Sequence, residues 1–339
     1  MQYAILAFYN EPPLLLRISE DDYVALKRAS EALSEVVFLE EKFDIVLENM
    51  LELEVEMLRS TEKFLLFSDT GQPDEKLILN RRIINLLTAC RLYLDHAQHH
   101  LNSLVGKNAD ELSGIKRQIS EQYDRYFGYR FMEAMRNFVQ HRGYPISELS
   151  YGRGEAVKHH LSDVDHDRDR SDLTRYDITP IIKLADLKKD GTFKKAILNE
   201  IDKMDPPGVN LKMAIREYVG GISRIHGAIR RSLEDRVSVW ENTLDLAARR
   251  IEQMFGSPVE DQAAIAYDEN NLCIESVDVP GDMSRDRRFF VKKNALFPQE
   301  NGELTRAFVS SEAVLNRMEL EDTGLMYLDL VLREALDLS

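Results

Sequence analysis

An arginine and a histidine near the middle of the chain are the residues best suited to catalysis. Arg136 and His141 lie within the sequence RNFVQH. An imidazole titrates near neutral pH and can transfer a proton, whereas a guanidinium stays charged and donates two hydrogen bonds to a phosphate. Such a pair is sufficient, in principle, for metal-free cleavage of a phosphodiester bond. The spacing alone is weak support, because Arg91 and His96 repeat it.

Signature motifs of other enzyme classes are absent from the sequence. There is no glycine-rich dinucleotide or phosphate loop, no HExxH, no GxSxG and no CxxC. The alternating acids between Asp163 and Asp169 lack the glycine and the final glutamate of a calcium loop. Two histidine groups are more typical of solvated side chains than of metal ligands: His96, His99 and His100, and His159, His160 and His166. We therefore expect neither a metal nor another cofactor.

Composition and charge exclude several classes of protein. The 339 residues are 44% hydrophobic and 30% charged, which is typical of a globular chain with a substantial core. The net charge of -15 excludes a chain-wide basic surface, so a nucleic-acid site must be local. Two cysteines, Cys90 and Cys273, suit a reducing compartment. Without a signal peptide or an apolar run of about 18 residues, we expect a cytoplasmic protein that does not enter the membrane.

The Arg136–His141 pair falls at the end of a predicted helix that spans about residues 110 to 142. Phe131 and Phe138 lie on one apolar side of this helix, and Met132 and Val139 lie nearly opposite. The helix is therefore expected to bury two faces. A glycine and then a proline follow it, as is usual at a helix end.

Apolar residues at helical spacing predict further helices before and after this one. Ser19 is a suitable N-cap for a helical arm or hairpin over residues 20–60, which carries 12 acids against four bases. The polar, aperiodic residues 147–177 predict a long loop. The other predicted helices are at 83–104, 178–204 (one or two short ones), 209–255 and in the last 30 residues. Strands are predicted at 1–9 and 14–18 (or an extended lead-in), in a hairpin at 263–267 and 273–279, and at 289–291.

The sequence RNFVQHRGYP, which follows YRFMEAM and a long amphipathic helix, resembles a known motif. It is similar to the Arg-polar-x3-His motif of the HEPN (higher eukaryote and prokaryote nucleotide-binding) superfamily. In that family Asn, Asp or His usually follows the arginine, and Asn137 fits this pattern whereas Leu92, after Arg91, does not. The resemblance covers roughly residues 20–146. It implies an antiparallel helical bundle that is commonly dimeric and often acts as a metal-independent ribonuclease.

The resemblance also implies roles for individual residues. His141 would act as general acid or base at the RNA 2'-hydroxyl or the leaving oxygen, and Arg136 would stabilise charge on the phosphate in the transition state. Asn137 would orient His141 or the phosphate. On an ideal helix Arg136 and His141 lie about 140° apart, so one helix does not easily aim both at one phosphate. A two-fold homodimer would bring copies from two subunits together.

Residues around the motif are predicted to hold a short RNA segment. Between Lys116 and Arg153 there are seven bases against four acids, which makes this strip positive within an acidic chain. Its binding to RNA should depend strongly on salt. Arg130, Arg142 and Tyr144 are the predicted substrate-binding residues.

These observations predict a mostly α protein that acts as a HEPN-type, metal-independent endoribonuclease, in a toxin or defence setting with an antitoxin or other protein partner. The alternative is a non-catalytic binding or scaffold protein that presents its acidic helices to a basic partner. In that case Arg136 is a surface or ion-paired residue, and His141 is a cation favoured by the helix dipole. The predicted regions are a strand or extended lead-in (1–18), a HEPN-like bundle (19–146), a polar linker (147–177) and a C-terminal helical region with a small β element (178–339).

Overall fold

The structure is a computed structural model, and it describes most of the first 295 residues. The described ranges are 1–7, 14–67, 73–106, 110–155, 174–191, 193–256, 262–279 and 283–295. Within them the chain is mostly helical, as predicted. The predicted helix in the last 30 residues, the acid-rich stretch at 163–169 and the histidines at 159, 160 and 166 lie outside these ranges.

Helices of very different lengths account for most of the described chain. They are α1 (Glu20–Phe67), α2 (Pro73–Val105), α3 (Asp110–Arg125), α4 (Phe127–His141), α5 (Leu184–Asp190), α6 (Lys195–Ile201), α7 (Leu211–Phe255) and α8 (Met283–Ala295).

The strands form two small antiparallel sheets. They are β1 (Gln2–Ala7), β2 (Leu14–Ile18), β3 (Glu148–Glu155), β4 (Thr174–Lys183), β5 (Gly208–Asn210), β6 (Gln262–Tyr267) and β7 (Cys273–Asp278). One sheet has the order β2-β1-β6-β7 and the other β3-β4-β5. The predicted hairpin is confirmed as β6–β7, and the two predicted N-terminal strands are confirmed as β1 and β2.

Helix α1 is the long element against which α2, α7 and α8 pack. It begins with a reciprocal cap: Asp22 N donates to Ser19 Oγ at 3.1 Å, and Ser19 N donates to Asp22 Oδ2 at 3.4 Å. Ion pairs show that α7 runs antiparallel to it, because Glu54, Glu40 and Asp22 meet α7 in reverse order along the chain. Helix α2 covers another side of α1, and one hydrophobic core unites all three helices.

The predicted helix at 110–142 is in fact two helices. The backbone of Tyr126 is extended (φ -110°, ψ 121°), which separates α3 from α4. Helix α4 then restarts against α7, where Gly128 N donates to Glu217 Oε2 at 2.7 Å. A Cβ on Gly128 would lie 2.8 Å from the carbonyl oxygen of Ala214, so only glycine permits this approach. The break between α3 and α4 thus depends on Glu217, a side chain of α7. Local sequence patterns do not reveal this contact.

The two apolar faces of α4 are buried within a single chain. On one side the Tyr129 ring meets the Tyr218 ring of α7 with centroids 5.1 Å apart. On another side the Phe131 and Phe138 rings lie 5.9 and 5.8 Å from the Phe193 ring, which belongs to the connection between α5 and α6. The two-faced pattern therefore does not by itself require a second copy of the chain.

The predicted linker and its surroundings differ from the prediction. Residues 148–155 and 174–177 form strands, with Tyr151 paired to Ile178 in the β3–β4 ladder. Strand β4 continues to Lys183, where a helix was predicted, and buries Ile178 and Ile182. Isoleucine is β-branched, and β-branched residues favour a strand when neighbouring strands supply hydrogen-bond partners for the backbone. In contrast, residues 289–291, predicted as a strand, lie inside α8.

The core does not follow the predicted boundaries at residues 18, 146 and 177. Strand β1 pairs on one side with β2 and on the other with β6, so the N-terminal strands and the late hairpin form one sheet. Helix α7 packs against both α1 and α4. The helical bundle predicted from residues 19–146 is thus completed by α7, which comes from the C-terminal region.

Candidate functional site

The C-terminal end of α4 presents most of the predicted site residues to solvent. Asn137 and His141 lie one turn apart and are both exposed. Arg142 is exposed and ends the helix by donating its backbone N–H to Phe138 O at 2.8 Å. Tyr144, in the segment that follows, is 62% exposed. Imidazole, amide, guanidinium and phenol groups are therefore all accessible to solvent at or just after this end of α4.

Arg136 occupies a different position on the same helix. Its side chain is half-buried, and its Nε is shielded from solvent without a hydrogen-bond partner. No ion pair to Arg136 occurs among the residues that the structure describes. A buried N–H without an acceptor is costly in free energy, so an anion that reached this Nε would be stabilising. Helix α4 is continuous between Arg136 and His141, and the divergence of about 140° between them therefore remains.

Arg130 is already engaged within the chain. Its Nη2 donates to both carboxylate oxygens of Glu200 at 2.8 and 2.9 Å, which ties α4 to α6. Its Nη1 donates to the carbonyl oxygens of Tyr123 and Asp124. A bidentate arginine–carboxylate pair is among the stronger polar contacts in proteins. A phosphate would have to displace Glu200 in order to bind Arg130.

A buried polar network, not predicted from the sequence, joins α1, α2 and α7. The His226 ring is 1% exposed, and its Nε2 lies 3.2 Å from Glu40 Oε2. The Tyr93 hydroxyl lies 2.9 Å from Nδ1 of the same ring. Arg230 donates through Nε to Glu40 Oε1 at 2.9 Å and through Nη2 to Oε2. A neutral His226 satisfies all these contacts, since it can accept from Tyr93 and donate to Glu40.

Burial and hydrogen-bond partners together set the protonation states of Glu40 and His226. Burial would raise the pKa of Glu40, but the hydrogen bonds from Arg230 and His226 outweigh it and lower that pKa to about 2. Burial lowers the pKa of His226 below its usual value, and the hydrogen bond to Glu40 offsets this only in part. At neutral pH Glu40 is therefore ionised and His226 is neutral.

A pocket of about 140 Å³ opens beside the network, between α1, α7 and α8. Glu40, His226, Arg230 and Arg287 line it, among aliphatic side chains. The Phe43 ring stacks on the His226 ring with centroids 3.9 Å apart, and both imidazole nitrogens have protein partners. His226 therefore has no free nitrogen with which to exchange a proton with a ligand. We assign the network a structural role.

Acid should destabilise the fold through this network. Both pKa values are lower in the folded chain than in the unfolded one, so the unfolded state binds more protons as the pH falls. We expect the thermal unfolding midpoint to decrease below about pH 6.5 through His226, and further below about pH 4.5 through Glu40. Circular dichroism melts across this range measure it. A His226→Gln variant with an identical pH profile between about pH 6.5 and 5 would contradict the first step.

Many acidic residues of α1 form ion pairs with basic residues elsewhere in the chain. Lys293 of α8, for example, pairs with both Asp44 and Glu48. Further pairs join α1 to bases on α2 and α7: Glu35–His100, Glu52–Arg82, Glu54–Arg216, Glu40–Arg230 and Asp22–Arg250. Much of the acidic surface expected to meet a basic partner is thus neutralised internally.

The remaining histidine group lies on α2 and contacts α1 through His100. His100 Nδ1 is hydrogen-bonded to Glu35, while His99 is exposed. In the described ranges, no three histidine, cysteine or acidic side chains are grouped so that they could hold a metal ion. None of the described helices combines the length and apolar character needed to cross a membrane.

Comparison with known proteins adds no relative from which a role could be transferred. The chain matches no protein-family model, no curated protein and no solved structure.

Proposed function

We propose that this protein is a metal-independent endoribonuclease of the HEPN type, with its active site at the C-terminal end of α4. One observation carries the proposal: Arg136 is a half-buried guanidinium without an anionic partner among the described residues, on the same short helix as the exposed pair Asn137 and His141. Arg130, on the same helix, is paired with Glu200. The arginine of the motif is thus the one left available for a phosphate.

The chemistry follows from the residue types. His141 removes the proton from an RNA 2'-hydroxyl, and the 2'-oxygen attacks the adjacent phosphorus. The bond from phosphorus to the 5'-oxygen breaks, and a protonated imidazole returns a proton to that oxygen. The products are a 2',3'-cyclic phosphate and a 5'-hydroxyl. Arg136 neutralises the charge that develops on the non-bridging oxygens.

The proposed active unit is a homodimer, because the Arg136 and His141 side chains diverge on α4. Arg136 and His141 point about 140° apart on α4, so one phosphate would be held by Arg136 of one chain and attacked with the help of the second chain's imidazole. Tyr144 and Arg142 would contact the flanking nucleotides. The few bases around α4 limit binding to a short, salt-sensitive segment of RNA. A toxin or defence role with an antitoxin partner belongs to this proposal.

Single substitutions test the site directly. Arg136→Ala and His141→Ala are each expected to reduce RNA cleavage at least about a hundredfold, the range for loss of an acid–base group. Activity of the wild type should survive a chelator. Arg231→Ala and His99→Ala are matched controls, because both residues are exposed and lie on other helices. Wild-type protein that does not cut RNA, or that needs a metal to do so, would overturn the proposal.

Mixing the two inactive variants tests whether the site is shared. In a composite site, a heterodimer of Arg136→Ala and His141→Ala chains contains one intact Arg–His combination. A 1:1 mixture should then recover about a quarter of the wild-type activity, because half the dimers are mixed and each has one working site. A mixture that stays inactive, although it exchanges subunits, would show that each chain uses its own pair.

A further inference from the structure

The second half of α1 carries an exposed apolar surface that no described element covers. Its five side chains are each 46% to 68% exposed. We call this surface the outer α1 stripe: Leu51, Val55, Leu58, Leu65 and Leu66. Soluble monomers seldom expose contiguous apolar patches larger than a few hundred Å², so this one calls for an explanation.

The opposite side of the same helical segment is firmly packed. Leu53 and Met57 are buried in the core. The Phe64 ring lies 5.2 Å from the ring of Tyr151 on β3 and 5.5 Å from that of Tyr176 on β4. The segment is therefore anchored on one side, and the outer α1 stripe is held in place as a preformed surface.

Spacing along the stripe matches a helix that packs against another helix. Leu51, Val55, Leu58 and Leu65 follow steps of four, three and seven residues, which keeps them on one seam. In coiled-coil terms the leucines occupy d positions and Val55 an a position, the combination that favours two strands. Glu62 takes the other a position, and a polar residue there selects register at some cost in stability.

We propose that the outer α1 stripe is the surface through which two copies of this chain associate. A two-fold contact needs one self-complementary patch, and a leucine–valine seam of this kind fits its own copy. The five side chains expose on the order of 500 Å² per chain, so two copies would bury about 1,000 Å², the lower bound for a specific interface.

The residues beside the stripe argue against a membrane as the occupant. A helix that lies on an anionic bilayer carries lysines and arginines along its polar face. On α1 itself the exposed neighbours are Glu48, Glu52, Glu62 and Arg59, and Glu48 pairs with Lys293 while Glu52 pairs with Arg82. This flank is mixed in charge rather than basic, so it offers an anionic bilayer little attraction, whereas a protein helix of mixed charge tolerates it. The proposed ribonuclease also requires a dimer, so this inference rests in part on that proposal; a chain that dimerises through the stripe but does not cut RNA would overturn only the ribonuclease.

A matched pair of valines tests the proposal. Val55 is 63% exposed on the stripe, and Val239 is 62% exposed on α7. Val239 follows Arg230, which meets Glu40, so along the antiparallel helices it lies level with the first half of α1 and away from the stripe. Sedimentation velocity of the full chain is run for wild type, Val55→Glu and Val239→Glu up to about 100 µM.

Wild type and Val239→Glu are expected to be dimeric, and Val55→Glu should raise the dimer dissociation constant at least about tenfold. Leu58→Glu should behave like Val55→Glu, and far-UV circular dichroism checks that each variant is folded. Wild type that stays monomeric over the whole range overturns the proposal. So does equal dimerisation by the folded Val55→Glu and Val239→Glu chains, or equal loss of it in both.

Discussion

Replacement of Glu40 by alanine is expected to lower the free energy of unfolding by about 3 to 5 kcal/mol, the range for removal of one partner from a buried ion pair. The carboxylate is 2% exposed, and it accepts hydrogen bonds from both Arg230 and His226. Without it, His226 loses its acceptor and Arg230 is left beside a cavity. Chemical denaturation of the variant, followed by circular dichroism, measures the loss.

Glu31→Ala is the matched control for that measurement. Glu31 is an exposed acid on the same helix, so its removal should change the free energy of unfolding by less than about 0.5 kcal/mol. Tyr93→Phe should fall between the two, because it removes only the hydroxyl that contacts His226, at a cost of about 1 to 3 kcal/mol. If Glu40→Ala were as stable as Glu31→Ala, the network would not be a structural element of the core.

Gly221→Ala is expected to destabilise the chain by about 2 to 4 kcal/mol, although alanine normally favours a helix over glycine. A Cβ at this position of α7 would lie 2.5 Å from Cδ2 of Tyr129. The Tyr129 ring is 1% exposed and packs against the Tyr218 ring, so it cannot swing into solvent. The substitution would therefore force α4 away from α7.

Gly114→Ala, on α3, is the matched control because nothing lies within 4 Å of the added Cβ. There the usual preference should operate, and the variant should gain roughly 0.5 to 1 kcal/mol. If Gly221→Ala lowers the free energy of unfolding and Gly114→Ala raises it, the contact between α4 and α7 is tight. Equal stabilisation of both variants would contradict the described packing.

The contact at Gly221 also bears on function, because α4 carries the candidate site. Gly128 and Tyr129, at the start of α4, are held by α7, and Arg136 follows about two turns later. A shift of α4 would move the candidate residues relative to the loop after the helix. On the proposed function, we therefore expect the Gly221→Ala chain to lose RNA cleavage together with stability.

Several elements could be predicted because their signals lie within a few residues of one another. The start of α1 follows from Ser19 and Asp22, which cap each other. The turn between β6 and β7 follows from Asp268, whose carboxylate accepts from Asn270 N and Leu272 N, and from Asn271 with its positive φ of 61°. Asn137 and His141, four residues apart in the sequence, lie one turn apart on α4 and are both exposed.

Other features depend on residues that are far apart in the chain. Helix α4 is separated from α3 because Glu217 of α7 accepts from Gly128 N. Strand β4 forms because β3 and β5 pair with it on both sides. The network at Glu40 has one local trace, the four-residue spacing between His226 and Arg230, which is too common to be informative.

The amino-acid order alone predicted most of the long helical segments, where α1 begins and which side chains near Arg136 have the chemistry for a phosphate. Caps, turns and apolar periodicity act between residues close together in the sequence, so they can be recognised without knowledge of the fold. Only the tertiary structure decided that Arg130 is paired with Glu200 while Arg136 is not, and that Glu40 is buried beside His226. Whether a side chain is ion-paired or buried depends on which helix from a distant part of the sequence lies against it. Packing of the whole chain sets that arrangement.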